Sequence, residues 1–457
     1  MSLETTPLQH EINAIINDPK PAMHYNWSIV FHLGEKRFSP MRMVSLDIDR
    51  KYIENYGDEI VATVMMGAGD FAHVVFPYRR DLLVTIYREP MLAMASSMQP
   101  DREIWSEQFR ATLIETSDMV ASAARYQSQS RETANLAGIE TVRFQLTDKV
   151  LEKVRMLSVG GVFRNTTTPD AFRYFLTSTA PEFEEDEETK LLGVDFYPPD
   201  NTDELAAFVI PHGTPLVDVG DYLHRRVSGI YGKGLGYYLQ DKYWYVFPPY
   251  DLKRFGSSLK GLTLINIPEN RMPGVEKSYR TTGNQVFALV SGETRHLDTS
   301  EQQQLNRGNG VRYADARKIF DGFTQVKENK ALALRAENNN EFLTDKRPSG
   351  NKNIRLSERP ITSNKFYELS KLAARQGAMI HGVWENSDPM LLFPGMPTRF
   401  LYLKDGQIVE LHGVLIAAQH YISTPGQVLT SGKHVCQTVV SVFVERPEDL
   451  NTSEESS

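Results

Sequence analysis

The strongest constraint on this chain is a run of aromatics in its middle. Residues 229–270 hold Tyr231, Tyr237, Tyr238, Tyr243, Trp244, Tyr245, Phe247, Tyr250 and Phe255, with a strand-like stretch at 262–267 following at once. Side chains of this kind favour pleated, half-buried surfaces. Asp241–Lys242 separates two aromatic runs and predicts a hairpin turn. Pro248 and Pro249 stop the second strand, because proline cannot donate to a ladder. The stretch reads as the nucleating hairpin of a β domain and carries no catalytic signature.

The length of 457 residues exceeds one ordinary core and predicts roughly two to four domains. A hydrophobic content of 41 % beside 24 % charged residues leaves ample apolar surface to bury. No apolar run approaches the roughly 18 residues that span a bilayer. The N-terminal residues, MSLETTPLQHEINAIIND, lack the charged-then-apolar pattern of a secretory signal. Cys436 is the single cysteine, which excludes an internal disulfide framework and a multi-cysteine zinc site and fits a reducing compartment. The net charge of -8 argues against a dedicated nucleic-acid binder, which neutralises phosphates with clustered Lys and Arg. A like-signed surface instead lets nucleic acid pass without sticking.

Along the chain, residues 1–23 read as an arm. Strands are expected at 27–33, 42–49, 58–66, 82–87, 105–115 and 139–146, with a short helical segment at 71–78. In 42–49, Val44, Leu46 and Ile48 alternate with polar residues, the period of a strand with one buried face. Six strands in so short a stretch suggest an antiparallel barrel or sandwich. A helix capped by Thr147 and closed by Gly160 is expected next, then one opening at Thr168–Pro169. Short elements follow: a strand at 206–210, a helix at 218–227, a strand at 286–291, and a strand with a helical turn at 309–323. Residues 336–364 are polar and read as an outer loop, and a helix at 362–376 ends at Gly377. A long hairpin turns at Lys404–Asp405–Gly406, and a returning strand follows at 434–445. The tail, PEDLNTSEESS, is acidic and reads as disordered.

The sequence offers little chemistry. Gly232-Lys-Gly-Leu-Gly236 lacks the spacing and the Lys-Ser/Thr ending of a phosphate loop. His412, His420 and His434 invite a metal site, but His412 and His420 lie roughly 26 Å apart on one expected strand, too far to share an ion unless the strand bends, so the three read as structural or surface histidines. Cys436 shares a strand face with valines and reads as a small core residue rather than a nucleophile. The acidic run at 182–188 lacks a calcium-loop pattern. No G-x-S-x-G or H-E-x-x-H occurs, and no carboxylate pair stands out for glycosidase work. No catalytic, cofactor-binding or metal residue is assigned, and no cofactor is expected.

Three stretches carry a family resemblance: 52–90, 210–251, and 391–422, where Pro394-Gly-Met-Pro397 precedes the hairpin and Gly413 and His420 sit in its second strand. In their order these stretches resemble the baseplate hub proteins of contractile-tailed bacteriophages and the hub part of secretion-system spike proteins. The resemblance implies a β-rich α+β chain with two tube-like antiparallel β-barrel domains and smaller α/β insertions. It places the arm at 1–23, the first tube-like domain at 24–147 and an intervening α/β domain at 148–228. The second tube-like domain is expected at 229–325 with 396–446, an insertion at 326–395 and the tail at 447–457. It further implies a non-enzymatic virion protein made in the host cytoplasm. As a homotrimer it would adapt a six-fold tail tube above to a three-fold spike below and line the DNA channel. The alternatives are a virion glycan- or receptor-binding β protein, which would expose its aromatics in a groove, and a cell-wall hydrolase, which would keep one buried carboxyl with a raised pKa in a cleft.

Overall fold

The computed structural model describes residues 6–18, 24–91, 105–114, 138–178, 190–255, 260–268, 270, 272, 278–291, 311–313, 332–335, 341–344, 364–404, 407–424 and 434–445. The chain is a β-rich α+β protein. After a helix at Thr6–Ile16 come β1 (His24–Leu33), β2 (Lys36–Phe38), β3 (Arg42–Lys51), β4 (Glu59–Gly67), β5 (Leu83–Met91), β6 (Trp105–Leu113) and β7 (Ile139–Asp148). These pair antiparallel in the order β3-β4-β7-β6-β5-β1-β2. The alternation at 42–49 holds for Leu46 and Ile48, but a register shift between Met43 and Ser45 buries Met43 in place of the expected Val44.

The middle stretch holds helices at Lys149–Met156 and Thr168–Ser178 and strands β8 (Ser158–Thr166), β9 (Gly193–Phe196), β10 (Leu205–Pro215), β11 (Gly236–Gln240) and β12 (Tyr243–Phe247). Asp148, not Thr147, caps the first helix, its Oδ1 accepting from the Leu151 amide at 2.9 Å. Gly160 does not close that helix. It lies in β8, where a side-chain carbon would meet the His212 backbone at 2.6 Å. The hairpin turn is as expected: Asp241 and Lys242 have φ of 51° and 65° and Gln240 pairs with Tyr243. Positive φ at both turn residues matches the strand twist.

The second β unit contains β13 (Gly261–Asn266), β14 (Tyr279–Thr282) and β15 (Gln285–Val290). A small sheet follows of β16 (Val311–Tyr313), β17 (Leu332–Arg335) and β18 (Glu341–Thr344), so the expected outer loop at 336–364 contains a strand. A helix at Lys365–Arg375 leads to β19 (Gly377–Glu385), β20 (Pro397–Lys404), β21 (Gln407–Ser423) and β22 (Val435–Glu445). Asp405–Gly406, the acidic run at 182–188, the tail and most of 309–323 lie outside the described residues.

Two expectations are corrected here. The pairing is not wholly antiparallel: β13 runs parallel to both β15 and β20, and β12 parallel to β9. Parallel neighbours need long connections, and the chain between β13 and β20 spans 267–396. The aromatic hairpin does not belong to the large sheet. It forms a separate three-stranded sheet with β9. All of β11 is buried, with Tyr237 and Leu239 in the core of the middle stretch and Tyr238 in that of the second β unit. Covered on both faces, it shows no alternation that could reveal its neighbours.

One strand holds the two β units together. β21 is 17 residues long. Its first part pairs with β20 up to Val414 and its last part with β3 from Ala417 onward, while β22 runs along its other edge. The register shifts between Leu415 and Ala417, a bulge where the strand passes from one unit to the other. The Ile416 carbonyl there accepts from the Tyr52 amide at 3.0 Å. The fourteen strands therefore form one sheet. Isolated bridges bring each unit back towards β22 or β19: Tyr25 with His434 in the first, Ser291 with Val383 in the second. Both interiors are filled with side chains, among them Phe31, Val64 and Phe144 in the first and Trp384, Phe400 and Val442 in the second.

At Gly413 the β21 and β22 backbones approach so closely that a side-chain carbon would lie 2.2 Å from the Phe443 carbonyl oxygen. Gly413→Ala should destabilise the protein by about 2–4 kcal/mol, since well-packed backbone has nowhere to retreat. Denaturant unfolding measures this; a loss below about 1 kcal/mol would mean that the hairpin can part locally.

Candidate functional site

Charged residues break the apolar phase of the first β unit at one end. Arg50 continues the inward series of Leu46 and Ile48, Arg88 that of Val84 and Ile86, and Asp148 that of Phe144 and Leu146. Glu107 precedes Phe109 and Ala111, and Asp58 precedes Ile60 and Ala62, in the same phase. Because neighbouring strands run antiparallel and in register, the charges gather at one mouth of the unit. They form a collar there.

This mouth is plugged rather than open. Leu239, Gln240, Asp241 and Lys242 from the aromatic hairpin and Pro389–Met390 from the second unit enclose a cavity of about 40 Å³ against the collar. Arg50 donates through Nε to Asp58 at 3.0 Å and through Nη1 to the Pro389 carbonyl at 2.8 Å. The Tyr238 hydroxyl donates to the other Asp58 oxygen at 2.9 Å. One arginine thus ties the first unit, the hairpin and the second unit together. Arg88 makes the second tie, an ion pair with Asp388 at 2.7 Å. Its guanidinium lies 3.5 Å over the Tyr25 ring, and Asp388 also caps the Met390 amide at 3.0 Å.

Burial raises the Asp58 carboxyl above its usual range, even against the pull of Arg50 and of the Tyr238 hydroxyl. Glu107 is pushed much further, by burial first and then by Asp148, with which it shares a hydrogen bond. A buried carboxyl with a raised pKa beside a second one is the arrangement expected of a cell-wall hydrolase. Here, however, the space beside it takes a few water molecules and no sugar ring, so the arrangement cannot bind and cleave a glycan in this form.

The other residues weighed from the sequence are scattered. His412 is half exposed, 3.0 Å from Glu410 and stacked on Phe255. His420 is buried, its Nδ1 2.8 Å from the Thr438 hydroxyl, and burial followed by the Arg50 charge pushes it well below its usual pKa. His434 accepts the Trp27 amide at 3.2 Å. Among the described residues no group of three or more His, Cys, Asp or Glu is placed to hold a metal. Cys436 is buried, and burial pushes its thiol up to about 11, which leaves it protonated and unreactive. Gly232 and Gly234 lead into β11 rather than a helix, with Gly234 at φ 84° against the Tyr250 ring.

The glycan reading requires exposed aromatics, but Tyr231, Tyr237, Tyr238, Trp244 and Phe247 are core residues. An open hollow of about 590 Å³ is lined by Tyr56, Tyr237, Tyr250 and Tyr367. All four rings already have partners: Tyr56 stacks on Tyr237, Tyr250 meets Phe443 edge-on and the Lys371 ammonium lies 4.3 Å over Tyr367.

The chain was compared with known proteins. No family model and no curated protein matches it. Solved structures do. A tail protein from Neisseria meningitidis shares 11 % identity at a TM-score of 0.40, covering 92 % of this chain and 96 % of that one. The 43 kDa tail protein of prophage MuSo2 from Shewanella oneidensis gives 11 % and 0.40, over 92 % and 97 %. An E. coli component of the type VI secretion system gives 8 % and 0.38, over 92 % and 77 %. The neighbours are phage-tail and secretion-system proteins.

Removing one member of a buried ion pair leaves the other unpaired, whereas removing both is far milder. Arg88→Met should therefore cost about 3–5 kcal/mol in denaturant unfolding. Adding Asp388→Asn, which keeps the cap on Met390, should restore more than half of that. Additive losses would show that the two residues are not coupled.

Proposed function

We propose that this chain is the structural hub of a contractile phage-tail baseplate. In this reading the two β units are tube-like barrels, and a homotrimer presents six of them in a ring that adapts a six-fold tail tube to a three-fold spike. One observation carries the reading: a single chain builds two runs of strands on one shared hairpin, β21–β22, so that their relative position is fixed by backbone pairing. An adaptor between two symmetries needs two such units held rigidly per subunit. The domain division follows from this. The first barrel comprises 24–147 and the second is built around β13, β15 and β19–β22, with the α/β stretch of 148–228 and the aromatic hairpin wedged between them.

Because the interiors of both units are filled, the proposed channel for DNA runs between the three subunits rather than through either barrel. A chain with a net charge of -8 suits such a lumen, since like charge prevents adhesion. The tube protein would sit above and the spike below. The protein acts here by shape and carries out no reaction, and it resides in the virion tail.

Light scattering across concentration tests the reading. The expected result is a mass three times that of the chain, reached alone or on adding tail-tube or spike protein. A monomer at all concentrations, indifferent to both partners, would sink the hub assignment.

A further inference from the structure

The collar contains more acceptors than it can satisfy. Arg50 and the Tyr238 hydroxyl are both committed to Asp58. The Gln240 amide nitrogen is spent on the Leu392 carbonyl at 2.9 Å and on Asp241 at 3.2 Å. Its Oε1 is buried at the same junction with no donor. Glu107 and Asp148 face this cavity together with Asp58, Asp241 and the cations Arg50 and Lys242. Two adjacent carboxylates cannot both ionise cheaply in such a place. A proton retained between them removes one of the two charges.

We propose that Glu107 and Asp148 form a shared-proton latch that holds the aromatic hairpin and the 388–390 segment against the mouth of the first β unit. With one proton shared, the junction is closed. When that proton leaves to solvent, Glu107 adds a further negative charge beside Asp148 and Asp241, and the Asp241–Lys242 turn is repelled. The groups facing Glu107 from the elements around it are Asp148 at the end of β7, Asp58 before β4, Arg50 on β3, and Asp241 and Lys242 on the hairpin turn. Arg50 does not free the pair, because it is already engaged by Asp58.

The sign follows from the direction of the shift. A carboxyl whose folded pKa lies above its unfolded value of 4.5 stabilises the closed junction fully below that value, and the contribution is lost as pH rises through the folded pKa. Loosening on alkalinisation is the expected behaviour.

The test is amide hydrogen exchange on the full chain from pH 5 to 8, corrected for intrinsic rates. The probe is the Leu239 amide, which donates to the Tyr56 carbonyl at 2.9 Å across the junction. In the unaltered protein its protection should fall on the order of tenfold. Glu107→Gln, neutral at every pH, should show no fall. Glu140→Gln, which neutralises a carboxyl at the far end of β7, should follow the unaltered protein. A flat profile in the unaltered protein, or a fall in Glu107→Gln equal to it, overturns the latch. If Glu107→Gln does not fold, Glu107→Met, of similar length and with no proton to lose, replaces it with the same two outcomes.

Discussion

Everything in this molecule hangs on the division of labour along β21. A strand can satisfy its hydrogen bonds along only two edges, and β21 gives one edge, from Gly413 onward, to β22. It then splits the other between β20 and β3. The split costs a bulge at Ile416, where twist increases and pairing passes from one neighbour to the next. The result is that neither β unit is complete without the hairpin, and the hairpin cannot choose between them. Backbone hydrogen bonds, unlike a side-chain interface between two separate domains, leave little room for relative motion.

The collar solves the problem this arrangement creates. Each unit has a filled apolar interior whose mouth must be covered, and the cover here comes from other parts of the chain. Apolar contact alone would hold the plug without fixing its angle. Buried ion pairs contribute little net stability, because desolvation offsets their attraction, but they penalise every geometry in which a partner is missing. Arg50 reaches one carboxylate and one carbonyl on different parts of the chain, and Arg88 pins the segment next to the second. Both lie at the mouth where the units meet. Orientation, rather than stability, is what such residues supply.

How much of this was legible beforehand divides along physical lines. The strands of the first unit were readable because one face is buried and the other is not, so the period of two appears in the letters. The Asp241–Lys242 turn was readable because turns are local. The partners of β11 were not, since a strand covered on both faces is apolar throughout and says nothing of its neighbours. The parallel pairing of β13 with β20 was equally hidden, joining segments more than a hundred residues apart. The collar was available but missed. Arg50, Arg88 and Asp148 each fall on the inward phase of a clear strand, where a charge is expensive unless paired. A charged residue in a buried phase is a sequence-level signal for a junction, and several at the same end of antiparallel neighbours make it stronger.

Enzymes carry the same signal at their active sites. Buried carboxyls with raised pKa values accompany catalysis because active sites need proton donors near neutrality. The same shift arises wherever acids are sealed at an internal joint. Volume distinguishes the two cases. A catalytic pair faces a space that its substrate can fill, whereas Glu107 and Asp148 face about 40 Å³ closed by the chain's own hairpin. The perturbed acids therefore mark where the parts of one chain press together, and the energy stored in them bears on how tightly that joint is held.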